Sequence, residues 1–234
     1  MTDHREPDAV HPPEAFASVD TLLHEQSEYG RSDLVRFVEQ GSAMGVEALI
    51  GQNHAVLADA WAEGVSMRAL ARHAARETGA SAVFLYLDGA DAVSQRFWHY
   101  ANPEPFAGVQ MRPDQRRLFD EETEALGVTI GRYYEYLDEL LADLMTLLTE
   151  GGTVAVVSDH GYSGVELDER GNPMIGEHMH SERGFLMLHA PKAAPGARVA
   201  DASLFDVAPT IMASAGVPVP ASVEGRVLTG MLRP

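Results

Sequence analysis

Val154-Ala-Val-Val-Ser-Asp-His-Gly-Tyr162 is the stretch on which the fold turns. Its first four residues are an apolar run bounded upstream by Gly151 and Gly152, which predicts a strand buried on both faces, as in a parallel sheet covered by helices. The run stops at Ser158-Asp159-His160-Gly161, so a carboxylate and an imidazole stand side by side just past the strand's carboxyl end. That is where open α/β sheets bind their ligands, and Gly161 lets the backbone turn sharply there. Carboxylate oxygen and neutral imidazole nitrogen are both ordinary ligands of a divalent metal such as zinc. The plainer alternative is that Asp159 caps the following turn and His160 is solvated.

Upstream, Ala82-Val-Phe-Leu-Tyr-Leu87 predicts a second apolar strand, again ending in acid at Asp88 and Asp91 before a helical segment. Two strands that end in carboxylates make a shared metal cleft more credible than one; the alternative is that Asp88 or Asp91 caps the next helix. Phe97, Trp98 and Tyr100 read as packing residues. From about Asp114 to Thr149, Leu126, Ile130, Tyr134, Leu137, Leu141, Leu144 and Leu148 recur at spacings of three and four and predict one long amphipathic helix. Its acidic residues read as a solvated face. Earlier still, helical patterns cover Ser18 to Gln40 and Ala43 to Ala62, and Ser66 is a plausible N-cap for a helix over Met67 to Thr78 that Gly79 ends. Downstream, Gly176-Glu-His-Met-His-Ser-Glu-Arg-Gly184 is a loop with two histidines, His178 and His180, either of which could be a ligand. It leads into a short strand, Phe185 to Leu188. Ser203 to Ala215 predicts a short helix interrupted early by Pro209 and ended by Gly216.

The 234 residues suffice for one good-sized domain, and 45% of them are hydrophobic, as in an ordinary globular protein. Residues 1–20 read as a polar leading segment, and 21–234 as a single α/β domain. The net charge is −18, from 35 acidic and 17 basic residues. Such a surface argues against binding nucleic acid or an anionic membrane by bulk electrostatics. There are no cysteines, so disulfides and thiolate metal sites are excluded. No apolar stretch approaches the roughly 20 residues that span a bilayer, and the N-terminus lacks the features of a signal peptide. The resulting expectation is a cytoplasmic protein.

Taken together, Ser158-Asp-His-Gly161, His180 to Gly184, Phe205-Asp-Val-Ala-Pro-Thr-Ile211 and Gly216-Val-Pro followed by Glu224-Gly-Arg226 resemble the alkaline phosphatase superfamily. Within it the sequence is most similar to the type I phosphodiesterase/nucleotide pyrophosphatase-like proteins. Asp91-Ala-Val-Ser-Gln-Arg-Phe-Trp98 resembles that family's Asp-x-x-x-His-x-Phe-Trp element. The match is collinear from about Ala82 to the end. It implies a mostly parallel sheet flanked by helices, and a phosphoric ester hydrolase with up to two divalent metals, zinc above all. One metal would be held by Asp91, the residue at position 95 and His180; the other by Asp159 and His160. The substrate implied is a small phosphate ester.

Two departures qualify that expectation. Position 95 is Gln, whose neutral amide oxygen is a poorer zinc donor than imidazole. His99 is no substitute, because on a helix it stands roughly 12 Å along the axis from Asp91. The family's N-terminal portion, which bears the Ser or Thr nucleophile, also has no counterpart before Asp88. Ser18, Thr21, Ser27 and Ser32 lie in polar or helical stretches, and none is assigned as nucleophile. The chain thus resembles the C-terminal part of the family domain, and turnover by this chain alone is not expected. A second expectation stands beside the hydrolase, a non-catalytic binding or structural remnant with at most a partial metal site. A third is a truncated product without independent function. Self-association, or an upstream partner chain that completes the sheet, follows as the expected partnership.

Overall fold

The computed structural model describes residues 17, 19–21, 31–39, 41, 45–162, 181 and 183–233, with backbone alone at 31–32 and 45–54. The described residues form two compact units, one reaching Leu144 and the other beginning at Met145.

The first unit is helical. Its helices are α1 (Arg31–Val35), α2 (Gly45–Glu77), α3 (Gly89–Ala101), α4 (Pro113–Leu126) and α5 (Thr129–Met145). The predicted helix start at Ser66 is not there: α2 runs through it. Packing explains why. A Cβ on Gly64 would collide with the Tyr136 hydroxyl, so a glycine that weakens the helix locally is what admits a large ring against it. Tyr136 donates its Oη–H to the Trp61 carbonyl at 3.1 Å and Tyr133 donates to the Ala60 carbonyl at 3.2 Å. Each carbonyl has a second lone pair free for this. Both rings are thereby buried without leaving a polar atom unsatisfied, and burying side chains of this size stabilises by roughly 2–3 kcal/mol each. Gly79 ends α2 as expected, with a positive φ of 68° and the Ala80 N–H bonded to the Ala74 carbonyl at 3.1 Å.

The single long helix expected after Asp114 is two helices, α4 and α5, separated at Gly127 and Val128. The buried stripe of α5 is also one residue out of phase with the prediction. Tyr133, Tyr136 and Leu140 are buried, whereas Tyr134 is exposed. Tyrosines whose hydroxyls meet α2 carbonyls outcompete a phase counted from apolar spacing alone.

His99 of α3 lies in an aromatic cluster, 3.8 Å between ring centroids from Tyr100 and near Phe106 and Phe119. Burial, reinforced by the charge of Arg96, pulls its pKa down from 6.5 to about 4. The imidazole is therefore kept neutral in the fold, while the unfolded chain protonates it below pH 6.5. Stability must fall as the pH drops from about 6.5 to 4, by about 1–2 kcal/mol after allowance for partial exposure. Melting curves of His99→Phe, which keeps the ring and removes the titration, are expected to lose that part of the slope. A slope identical to the parent chain would rule out His99 as its source.

Ala82 to Leu87 is not a strand. No segment among the described residues pairs with it, and Phe84 and Tyr86 are 88% and 77% exposed. Strand propensity is local, but a strand exists only where its backbone groups find a partner.

The second unit contains β1 (Val154–Ser158), β2 (Phe185–His189) and α6 (Val207–Ser214). The strands are antiparallel, in register from Val154 opposite His189 to Ser158 opposite Phe185. Parallel pairing is not seen among the described residues. Nor is β1 buried on both faces as predicted: its residues are half-buried and Val157 is 42% exposed. A two-stranded sheet has too little cover to bury both faces. Pro209 does not interrupt α6 but sits in its first turn, where no intrahelical N–H is needed.

A clasp closes this unit. Asp206 is buried and accepts from the backbone N–H of Ser203 at 3.0 Å and of Arg226 at 2.8 Å. Those N–H groups, Arg226 first, hold its carboxyl below the usual carboxylate range. Thr210, one turn on, accepts from the Leu228 N–H at 2.9 Å. The Asp-Val-Ala-Pro-Thr run thus fastens the Gly-Arg segment to the start of α6. Among the described residues no helix is long and apolar enough to cross a membrane.

Candidate metal centre

Asp159 and His160 follow β1 directly, at the end where the strand ceases to be apolar. The Asp159 side chain is 69% exposed and His160 28%, and His160 Nε2 stands 3.7 Å from Asp159 Oδ1. His160 Nδ1 lies 3.1 Å from the Gly161 carbonyl oxygen. A carbonyl can only accept, so this contact is a hydrogen bond in those forms of the ring that carry a proton on Nδ1. Nε2 lies on the side of the ring that Asp159 approaches. Orientation of one imidazole nitrogen by a backbone carbonyl is the usual support for metal ligation by the other.

Two donors each about 2.0–2.1 Å from one ion in a tetrahedral array stand about 3.4 Å apart. The observed 3.7 Å is within a few tenths of an ångström of that, and oxygen with neutral imidazole nitrogen is zinc chemistry. The pair fits two corners of a site. No group of three or more His, Cys, Asp or Glu placed to hold a metal occurs among the described residues. His180 and His178 lie outside the described residues, as does Glu177.

The backbone around the pair is tightly interlocked. Ser158 donates its hydroxyl to the His160 carbonyl at 2.7 Å, and the Gly161 N–H donates to the Ser181 carbonyl at 3.0 Å. A Cβ on Gly161 would come within 2.7 Å of Ser181 Oγ, and one on Gly184 would collide with the Ser158 carbonyl oxygen. The two glycines are where the chain segments on either side of residues 163–180 touch backbone to backbone. Ser181 is the residue after His180 in the sequence.

Asp91 and Gln95 belong to the other unit. They sit one turn apart on α3, where i and i+4 share a face; Asp91 is half-buried and Gln95 exposed. Asp88 stands at the N-cap position of α3 but makes no side-chain cap. The cap is Glu63 of α2, whose two carboxylate oxygens accept from the Asp88 N–H at 3.0 Å and the Gly89 N–H at 2.8 Å. A carboxylate there also complements the helix dipole. Sequence reasoning missed Glu63, because nothing local links it to a helix start 25 residues on.

Comparison with known proteins bears on the same residues. The family model for type I phosphodiesterase / nucleotide pyrophosphatase matches residues 27–222. The 2,3-bisphosphoglycerate-independent phosphoglycerate mutase of Microcystis aeruginosa (strain NIES-843 / IAM M-2473) is 33% identical over 100 residues, covering 40% of this chain and 19% of that protein. The protein of the same description from Gloeobacter violaceus (strain ATCC 29082 / PCC 7421) is 36% identical over 86 residues, 34% of this chain and 16% of that one. The aligned part is thus less than a fifth of the length of these curated relatives. No solved structure matches the chain.

Proposed function

The chain belongs to the type I phosphodiesterase/nucleotide pyrophosphatase family of the alkaline phosphatase superfamily, and from that premise we propose that it is part of a metal-dependent phosphoric ester hydrolase. The observation that carries this reading is the Asp159–His160 pair, with His160 Nδ1 against the Gly161 carbonyl and Nε2 3.7 Å from the carboxylate. A divalent metal, zinc by its donors, would be held by Asp159 and His160. The second set that the family resemblance implies, Asp91, Gln95 and His180, includes a residue outside the described ones. When bound, such ions stabilise charge on the attacking and leaving oxygens of a displacement at phosphorus. The chain's own part is to present a carboxylate and an oriented imidazole at an exposed strand end, open to a small phosphate ester.

Gln95 is a weak donor for zinc, so one ion, at Asp159 and His160, is the tightly held one. The hydroxyl nucleophile is not among the residues assigned here. We infer that it comes from a further segment or partner chain, which also completes the sheet; self-association is the alternative route.

Isothermal titration calorimetry of the chain with inorganic phosphate, with and without zinc, tests the reading. Heat of phosphate binding is expected only in the zinc-loaded protein. Equal binding in both, or none in either, would contradict it.

A further inference from the structure

We propose that Ser158 is a positioning residue for the metal ligand His160, an inference that rests on the metal reading above. The peptide unit joining His160 to Gly161 is held at both ends. Its carbonyl oxygen accepts the Ser158 hydroxyl at 2.7 Å, and its N–H donates to the Ser181 carbonyl at 3.0 Å. The next carbonyl along, that of Gly161, is the one 3.1 Å from His160 Nδ1. That contact ties one edge of the imidazole to the Gly161 backbone, whose direction depends on the fixed peptide before it.

The need for a tether follows from the glycine. Gly161 permits the sharp turn and the close approach to Ser181 and Arg183, but glycine also has more accessible backbone conformations than any other residue. A His-Gly peptide rotates at little cost unless both of its polar groups are engaged. Ser158 supplies the bond at the carbonyl end. It is the last residue of β1, so strand pairing with β2 fixes the hydroxyl's origin. The backbone on the far side is fixed as well, since the Ser158 carbonyl lies against Gly184. Without the hydroxyl, the His160 carbonyl would turn toward water, the Gly161 carbonyl would leave the Nδ1 proton, and the imidazole would sample both tautomers and other ring positions. Partners of this kind, one step removed from the metal, typically govern 10–100-fold in metal affinity.

The test uses Ser158→Ala and Ser158→Thr, the second retaining a hydroxyl at the same place. Zinc affinity is measured by competition with a chromogenic chelator, and the His160 tautomer in metal-free protein by nitrogen-15 NMR of the ring. Ser158→Ala is expected to weaken zinc binding about tenfold or more and to mix the tautomers, and Ser158→Thr to restore both. Zinc affinity and tautomer unchanged in Ser158→Ala would overturn the inference. So would equal loss in Ser158→Thr, which would point to strand packing instead of the hydroxyl. If the parent chain binds no zinc, the metal reading fails, and the metal-free tautomer comparison still decides whether Ser158 orients His160.

Discussion

Asp159→Ala is expected to lower zinc affinity by more than about 100-fold while leaving the fold intact. The two halves of that expectation have separate grounds. The carboxylate is 69% exposed and 3.7 Å from His160 Nε2, and among the described residues it caps no helix and closes no turn in the way Asp206 does. Surface substitutions of that kind change stability by no more than about 0.5 kcal/mol. As a ligand, however, it supplies one of the two donors that the described residues bring together, and even groups one step removed from a metal govern 10–100-fold. Chelator competition reads the affinity and thermal melting reads the stability. Loss of affinity with an unchanged melting temperature assigns Asp159 to the metal. A protein that binds zinc as tightly as its parent would remove Asp159 from the site, and a protein that melts early would make it a structural residue.

Gly184→Ala is expected to destabilise the unit formed by β1, β2 and α6 by about 3 kcal/mol, and to weaken zinc binding with it. A Cβ at this position would collide with the Ser158 carbonyl oxygen and lie 2.8 Å from the Asp159 carbonyl carbon. Both are backbone atoms at the end of a paired strand, so neither can swing aside as the tip of a flexible side chain would. Relief requires β1 to shift from β2 just where it presents Asp159 and His160, and overpacking a tight contact costs about 1–3 kcal/mol or more. Denaturant unfolding followed in the far ultraviolet, with zinc competition on the same samples, measures both effects. Stability within about 0.5 kcal/mol of the parent would mean that the two segments are not in backbone contact.

The parts legible in the sequence were those whose causes are local. An apolar run bounded by glycines and broken by Asp-His-Gly locates β1 and the candidate ligands, because strand period and chain reversal are both set within a few residues. Gly79 at the end of α2 and the strand at Phe185 were legible for the same reason. What was not legible depends on partners far along the chain. Ala82 to Leu87 has every strand propensity but no segment among the described residues to pair with it. The phase of α5 turns on Tyr133 and Tyr136 meeting carbonyls of α2 more than 70 residues earlier, which no apolar spacing reveals. Likewise the Asp-Val-Ala-Pro-Thr run stood out in the sequence, yet that Asp206 reaches Arg226, and Thr210 reaches Leu228, is a matter of tertiary contact. The pair that the described residues contain, β1 with β2, is antiparallel, and the mostly parallel sheet stays what the family resemblance implies. The Asp159–His160 geometry adds what sequence could not carry, the contact of His160 Nδ1 with the Gly161 carbonyl.

Elemental mass spectrometry of metal per purified chain, for the parent and for Asp159→Ala, tests the metal reading most directly. One zinc-like ion per chain, absent from Asp159→Ala, is the predicted result, with one ion and not two because Gln95 stands where the family places histidine. No metal in either protein would contradict the metal centre, and an ion retained in Asp159→Ala would move it elsewhere in the chain.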